Sequence, residues 1–455
     1  MMSIKDLKHV VRPLSNSGFV MILDTGGVIG PESAAMLQAL HSRSVGGIKE
    51  HLKALTEKGS GAFMKKYYIG YNHKSIGDCG DAIVFIEGVP MFVPKSVQDW
   101  PLYSGQESST RFIDFAKQIF ANPLGTVASE ELLEKLRKFY LYGIKELNKS
   151  LKLRFPIKEG EKSTIYDKTI SARAFDIMRG FLPAGAHTNL SWMMNLRQFA
   201  DELLTLRHHP LNIVREVSMA TEDGLMEMFP NSFSKKRYEA IEKYAGEMGR
   251  LHTYHHRTSL SDFEVSKVLL DFDLLSEYKQ AIITRPEKAE LPRKIRECGL
   301  VRFEFPLDFG SFRDIQRHRA VTQQMPLLTT DLGFNQWYLS ELRESMDDLY
   351  SQACEVCDFI CKKLARFDCP PEILQYYIPM GFNTANRLTG DLHALTYLIE
   401  LRSGWAVHPT LRKKAIQMGE ALSTIIAPYF DFALHLDTSK TQFDFRRGSQ
   451  DIIEK

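Results

Sequence analysis

The sequence predicts an α+β chain built as two similar halves, each an antiparallel or mixed sheet with long packed helices. Three observations predict it. Short β-branched and aromatic runs, Phe85-Ile86-Glu87-Gly88-Val89 and Val301-Arg302-Phe303-Glu304-Phe305, read as strands. Two stretches with apolar residues at three- and four-residue intervals, from about Ser129 to Leu151 and from about Asn335 to Leu364, read as long amphipathic helices. The same succession of strand, polar motif, long helix, proline break and last helix then occurs twice along the chain.

Taken in order, the first half opens with Val20-Met21-Ile22-Leu23, an apolar run followed by Asp24-Thr25-Gly26. That turn resembles an aspartic protease motif, but such chemistry needs two carboxylates sharing a proton. No second Asp-Thr-Gly or Asp-Ser-Gly occurs, and Asp-x-Gly is also ordinary turn chemistry. After the strand at Phe85–Val89 comes Tyr103-Ser104-Gly105-Gln106-Glu107-Ser108-Ser109-Thr110-Arg111-Phe112, then the first long helix. A Leu182-Pro183 break leads into a helix read through Thr188, Asn195, Arg197 and Arg207. The polar stretch Lys158–Ser163 has no second counterpart and reads as an inserted loop. Thr221-Glu222-Asp223-Gly224 through Pro230-Asn231-Ser232 reads as the linker, dividing the chain into 1–228 and 229–455.

In the second half the strand at Val301–Phe305 precedes Arg317-His318-Arg319, the second long helix and an Ile378-Pro379 break. A last helix is read through Thr384, Asp391, His393 and Arg402. The spacings agree: Pro183 to Thr188 and Pro379 to Thr384 are both five, while Thr188 to Asn195 and Thr384 to Asp391 are both seven. Within the second long helix, Tyr350, Cys354, Cys357, Cys361 and Leu364 fall on one face. Thiolates at Cys354, Cys357, Cys361 and Cys369 could hold zinc or an iron–sulfur cluster, but the helical spacing favours cysteine as a small core hydrophobe, and no metal is expected.

Composition bounds the function. Of 455 residues 44% are hydrophobic and 25% charged, with 58 basic against 56 acidic side chains, which excludes a disordered chain and a small disulfide-stapled fold. A formal net charge of +2 disfavours nonspecific nucleic-acid or membrane-surface binding, so a small-molecule partner is expected. No apolar run reaches the length of a membrane span and the start lacks a signal-peptide core, so a cytoplasmic location is expected. Six cysteines fit a reducing compartment.

The ordered motifs resemble the flavin-dependent thymidylate synthase family twice. In the first half His73, Ser75 and Asp78 match an upstream element, with aspartate where glutamate is usual, and Ser44 after Arg43 matches a serine near the family's N-terminus. Ser104, Glu107, Ser109, Thr110, Arg111 and Phe112 match the second part of the central motif. Arg179 with Leu182-Pro183, then Asn195, Arg197 and Arg207, match the downstream helix. Where the family has Arg-His-Arg, this half has Asp99-Trp100-Pro101. The second half inverts the situation: Arg317-His318-Arg319 is intact, but Gln324-Met325-Pro326-Leu327-Leu328-Thr329-Thr330 lacks the acidic residue, serine and arginine. Gln375 stands where Arg179 stands, and Asp391 replaces the asparagine. Each half keeps what the other has lost.

The resemblance implies reductive methylation of dUMP to dTMP, with FAD as cofactor and NADPH and methylenetetrahydrofolate as co-substrates. It implies catalytic positions at His73, Glu107 and Arg207, and nucleotide-binding positions at Ser104, Glu107, Ser109, Thr110, Arg111, Arg179 and Arg207. Arginine forks suit phosphate oxygens. Cofactor-binding positions are implied at Ser44, Ser75, Asp78, Asn195, Arg317, His318 and Arg319. Family active sites lie between subunits of a homotetramer, so two chains of fused halves would rebuild it as a homodimer with half of the sites functional. Two other readings stay open: a flavoenzyme acting on another pyrimidine nucleotide, and a non-catalytic nucleotide-binding or scaffold protein.

Overall fold

The computed structural model describes residues 6–24, 27–43, 47–252, 254–432 and 434–438. It divides into two compact units interleaved in sequence, Met1–Ile113 with His187–Thr253 and Asp114–Ala186 with Tyr254–Lys455. The fold is α+β, as expected, and both sheets are antiparallel throughout.

The first unit's strands are β1 (His9–Pro13), β2 (Phe19–Leu23), β3 (Asp81–Pro90), β4 (Ser104–Glu107) and β5 (His187–Asn195), in the order β1-β2-β3-β5-β4. Alternation along β3 buries Ala82, Val84 and Ile86, and the opposing β5 buries Leu190, Trp192 and Met194. Phe199 of the helix Leu196–Leu206 closes on Trp192 with ring centroids 4.6 Å apart. Each such fully buried side chain stabilises the unit by about 1.5–3 kcal/mol. A bulge between Ile86 and Val89 places Gly88 at φ 69°, a conformation that favours glycine.

The second unit's strands are β6 (Glu264–Leu270), β7 (Gly299–Asp308), β8 (Thr322–Gln323) and β9 (Asn383–Asp391), in the order β6-β7-β9-β8. Without β1 the first unit's order is β2-β3-β5-β4, the same path. The second unit also contains the helices Val127–Arg154 and Ser163–Met178, which pack with Gln336–Ser345 and Asp347–Leu364. Thr126 and Ser129 form a reciprocal cap at the start of the first of these.

The two proline breaks pair with each other. Ala184 N donates to Ile378 O and Met380 N to Leu182 O, both at 2.9 Å; Gly185 N donates to Tyr376 O and Gly381 N to Gly180 O. Pro183 faces Pro379 in the same bridge. Each bond has a mate in which both residues are replaced by their counterparts 196 positions along, the signature of a local two-fold. Close backbone approach explains the matched glycines: a Cβ on Gly185 would lie 2.5 Å from the Tyr376 carbonyl oxygen, and one on Gly381 2.8 Å from that of Gly180.

Several expectations are corrected. Thr188 to Asn195 is strand β5, not helix; the helix begins at Leu196, and the second half repeats this with β9 before Leu392–Ser403. Residues Thr221 to Met228, expected within a linker, are the last turns of the helix Asn212–Met228, with Thr221, Gly224, Leu225 and Met228 buried. The second long helix is two, broken at Met346, where the backbone is extended at φ −167° and ψ 110°. Ser150's hydroxyl bonds the Ser345 carbonyl beside that break. The buried stripe of Asp347–Leu364 is Leu349, Ala353, Val356, Ile360 and Leu364, so the cysteines lie one position off it, Cys354 and Cys357 half-buried and Cys361 exposed. Among the described residues no group of His, Cys, Asp and Glu is placed to hold a metal ion, and no helix is long and apolar enough to cross a membrane.

Candidate functional site

Ser104 to Arg111 runs along the edge of the first sheet. Among the described residues its strand β4 pairs with β5 alone, from Ser104 opposite Met193 to Glu107 opposite Leu190. Ser104, Gly105 and Gln106 are exposed, whereas Glu107 turns inward. Lys95 Nζ lies 2.6 Å from Glu107 Oε2, and the two side chains are 0% and 1% exposed. Gln98 Nε2 approaches the same oxygen at 3.4 Å. Beyond Glu107, Ser108 N bonds Asn189 O, and the exposed Ser109 caps the short turn Thr110–Phe112 by accepting from Arg111 N. Thr110 is buried and Arg111 half-buried.

The other first-unit positions surround the helix Leu196–Leu206. Asn195 is its N-cap, accepting from Gln198 N at 2.9 Å; Asp391 does the same for Leu392–Ser403 through Ala394 N. The two residues are interchangeable caps, which explains the replacement between halves. Asp78 pairs with Arg197 Nε at 2.6 Å. Ser75 and His73 are exposed, His73 beside the Tyr67 ring at 6.3 Å. Arg207 is held by Glu242 at 2.7 Å and Glu222 at 3.4 Å. Hydrogen bonding from Arg207, helped by His208 against the pull of burial, lowers the Glu242 carboxyl to about 2. At the replaced triplet, Trp100 Nε1 donates to Gln198 Oε1 at 2.8 Å. Glu202, 1% exposed, has neither carboxylate oxygen hydrogen-bonded; burial, with the nearby Asp99, raises its pKa well above the usual carboxylate range.

In the second unit Arg317 and Arg319 are exposed and flank a buried His318. His318 Nε2 accepts from Arg402 Nε at 2.8 Å, and Arg402 Nη2 donates to Asp314 O. Burial first, then the Arg402 charge, pushes His318 down to about 3, so the imidazole is neutral at physiological pH. Tyr397 stands 5.9 Å from the His318 ring and also lines a cleft of about 1010 Å³ with His393, Thr396, Glu400 and Arg285. Arg285 and Glu400 pair within its wall. Thr396 Oγ1 is buried there with no hydrogen-bond partner.

Arg179 also belongs to the second unit, within a buried network. Its Nη2 donates to Ser311 Oγ at 3.2 Å, Ser311 N bonds Asp308 Oδ2, and Tyr338 OH donates to the same oxygen at 2.8 Å. Burial opposes the Arg179 cation, but Tyr338, Asp176 and Asp308 outweigh it and raise its pKa. Gln375, its counterpart, accepts from Leu328 N and donates to Tyr254 OH.

The structure therefore brings His73, Ser75, Asp78, Ser104, Glu107, Ser109, Thr110, Arg111, Asn195 and Arg207 into the first unit, and Arg179, Arg317, His318 and Arg319 into the second. Ser44 lies outside the described residues, as do Thr25 and Gly26. Sequence reasoning missed Lys95, Glu202, Thr396 and Tyr397. Lys95 carried a signal, as the single charge in the apolar run Phe92-Val93-Pro94-Lys95-Ser96-Val97.

Residues 30–231 match the family described as thymidylate synthase complementing protein. A UPF0159 protein of Chlamydia muridarum is 24% identical, the match covering 86% of this chain and 84% of the relative. A UPF0159 protein of Chlamydia pneumoniae is 24% identical over 77% and 76%, and one of Thermoplasma acidophilum 23% identical over 81% and 87%. Matches of that extent reach into both halves of the chain.

Proposed function

We propose that this chain, whose residues 30–231 match the thymidylate synthase complementing protein family, is a flavin-dependent thymidylate synthase-like enzyme. It methylates dUMP to dTMP with FAD, NADPH and methylenetetrahydrofolate. The observation that carries the flavin part is the neutral, buried His318 between two exposed arginines, beside the large cleft that Tyr397 shares. These residues fit FAD. Two exposed cations suit a diphosphate, the volume is at the upper end of ordinary cofactor pockets, and the unpartnered Thr396 hydroxyl supplies a polar contact in the cleft wall.

When bound, FAD supplies the redox chemistry, and the protein contributes binding, orientation and electrostatics. Arg317 and Arg319 hold the phosphates. Arg402 fixes the His318 tautomer by donating to Nε2, which leaves Nδ1 carrying the ring proton. In the first unit Ser104, Ser109 and Arg111 face solvent or the half-buried margin and hold the nucleotide phosphate. Arg179, whose charge is already met by Asp308 and its neighbours, contributes to the second unit's core. Each half keeps groups that the other has lost, and the enzyme works as a dimer of such chains.

One observation favours a different pyrimidine as substrate. Arg207, implied as a base contact, is already engaged by two glutamates. Product analysis after incubation with FAD, NADPH, methylenetetrahydrofolate and either dUMP or other pyrimidine nucleotides separates the two. Formation of dTMP with wild-type protein, lost in Arg111→Ala, supports the first reading; turnover of another pyrimidine alone replaces it.

A further inference from the structure

We propose that Lys95 is a positioning residue that aims the segment Ser104–Arg111 by holding Glu107 from beneath. The inference rests on the reading that this segment takes the nucleotide phosphate. The helix Phe92–Gln98 is buried along its whole length and Lys95 is its single charge. Its ammonium meets the Glu107 carboxylate at 2.6 Å and also bonds Gln98 Oε1, while Gln98 reaches the same carboxylate oxygen. Burial of either charge alone is strongly unfavourable, so the two are locked as one unit.

The latch sits where the segment has least other support. β4 is an edge strand of four residues, three of them exposed. Glu107 is its last residue, two before Ser109 and four before Arg111. The carboxylate, 1% exposed and paired with Lys95, fixes where the exposed residues after it begin. The second half provides an internal comparison. With Asp99-Trp100-Pro101 aligned on Arg317-His318-Arg319, Glu107 corresponds to Met325, which is buried and apolar. The serine and arginine that should follow are absent from that half too. Carboxylate and phosphate-binding residues are kept together or lost together.

Three full-length variants test this: Lys95→Met, Lys95→Arg, and Lys95→Met combined with Glu107→Leu. Amide hydrogen exchange is read across the chain, and dUMP affinity by titration calorimetry. Lys95→Met should speed exchange at Ser104–Arg111 at least tenfold, leave β3 and β5 protected, and weaken dUMP at least tenfold. Lys95→Arg should stay within about threefold of wild type on both. The double variant removes both buried charges; it should restore protection at Ser104–Arg111, and it keeps the exchange test open if Lys95→Met does not fold. Unchanged exchange in Lys95→Met overturns the proposal. If wild type binds no dUMP the functional reading fails, and the exchange result alone decides whether Lys95 holds the segment.

Discussion

Replacing Glu202 by leucine should stabilise the protein, and by more at high pH. Glu202 sits on the helix Leu196–Leu206 with 1% of its surface exposed, and neither carboxylate oxygen has a hydrogen-bond partner. A buried polar group left unpaired costs about 1–3 kcal/mol, and leucine removes that cost without breaking a bond. For a unit of this size the gain corresponds to about 2–4 °C in melting temperature per kcal/mol. The pH dependence follows from the proton. Burial, then Asp99, raises the folded-state pKa well above the usual 4.5, so the folded chain holds a proton that the unfolded chain releases. Wild-type stability therefore falls as pH rises from about 4.5 through the folded value, and the Leu variant escapes that loss. Urea unfolding at pH 5.5 and pH 8 measures both effects. A variant less stable than wild type at pH 8, or an advantage that shrinks as pH rises, would show that the buried Glu202 carboxyl does not cost the fold stability.

Three further outcomes are expected. His318, held down to about 3 by burial and Arg402, contributes stability that is fully present above pH 6.5 and is lost as pH falls towards 3. His318→Gln, which keeps an acceptor for Arg402, should flatten unfolding midpoints between pH 6.5 and 4; an unchanged slope would remove His318 as the cause. Arg179→Met removes the buried cation that donates to Ser311 and should destabilise by about 1–3 kcal/mol in denaturant titrations, whereas a variant more stable than wild type would mean the network does not need its cation. Gly185→Ala drives a Cβ to 2.5 Å from the Tyr376 carbonyl oxygen and should cost about 1–3 kcal/mol; a neutral result would show that the paired proline breaks tolerate separation.

The duplicated plan was legible because equal spacings around Pro183 and Pro379 survive in the sequence, and the structure pairs those very segments. The family resemblance was legible for the same reason, since ordered motifs outlast the loss of single members. Secondary structure within the downstream motif was not. Thr188 and Asn195, seven apart, suit a helix as well as a strand, and only the alternation of Leu190, Trp192 and Met194 against β3 decides for the strand. The cysteine face was misplaced by one residue because Leu349, Val356 and Ile360 bury more apolar area than the thiols beside them. Buried charges were the hardest to read. Whether Lys95 or Glu202 is sealed, and whether it is paired, depends on partners brought in by the fold from elsewhere in the chain.

If the Arg-His-Arg half grips a flavin while the other half grips the nucleotide, the visible absorption spectrum of the chain saturated with FAD will report it. One FAD per chain is expected, lost in the variant carrying Arg317→Ala and Arg319→Ala and retained in Arg111→Ala. No bound flavin in excess FAD, or equal loss in both variants, would contradict it.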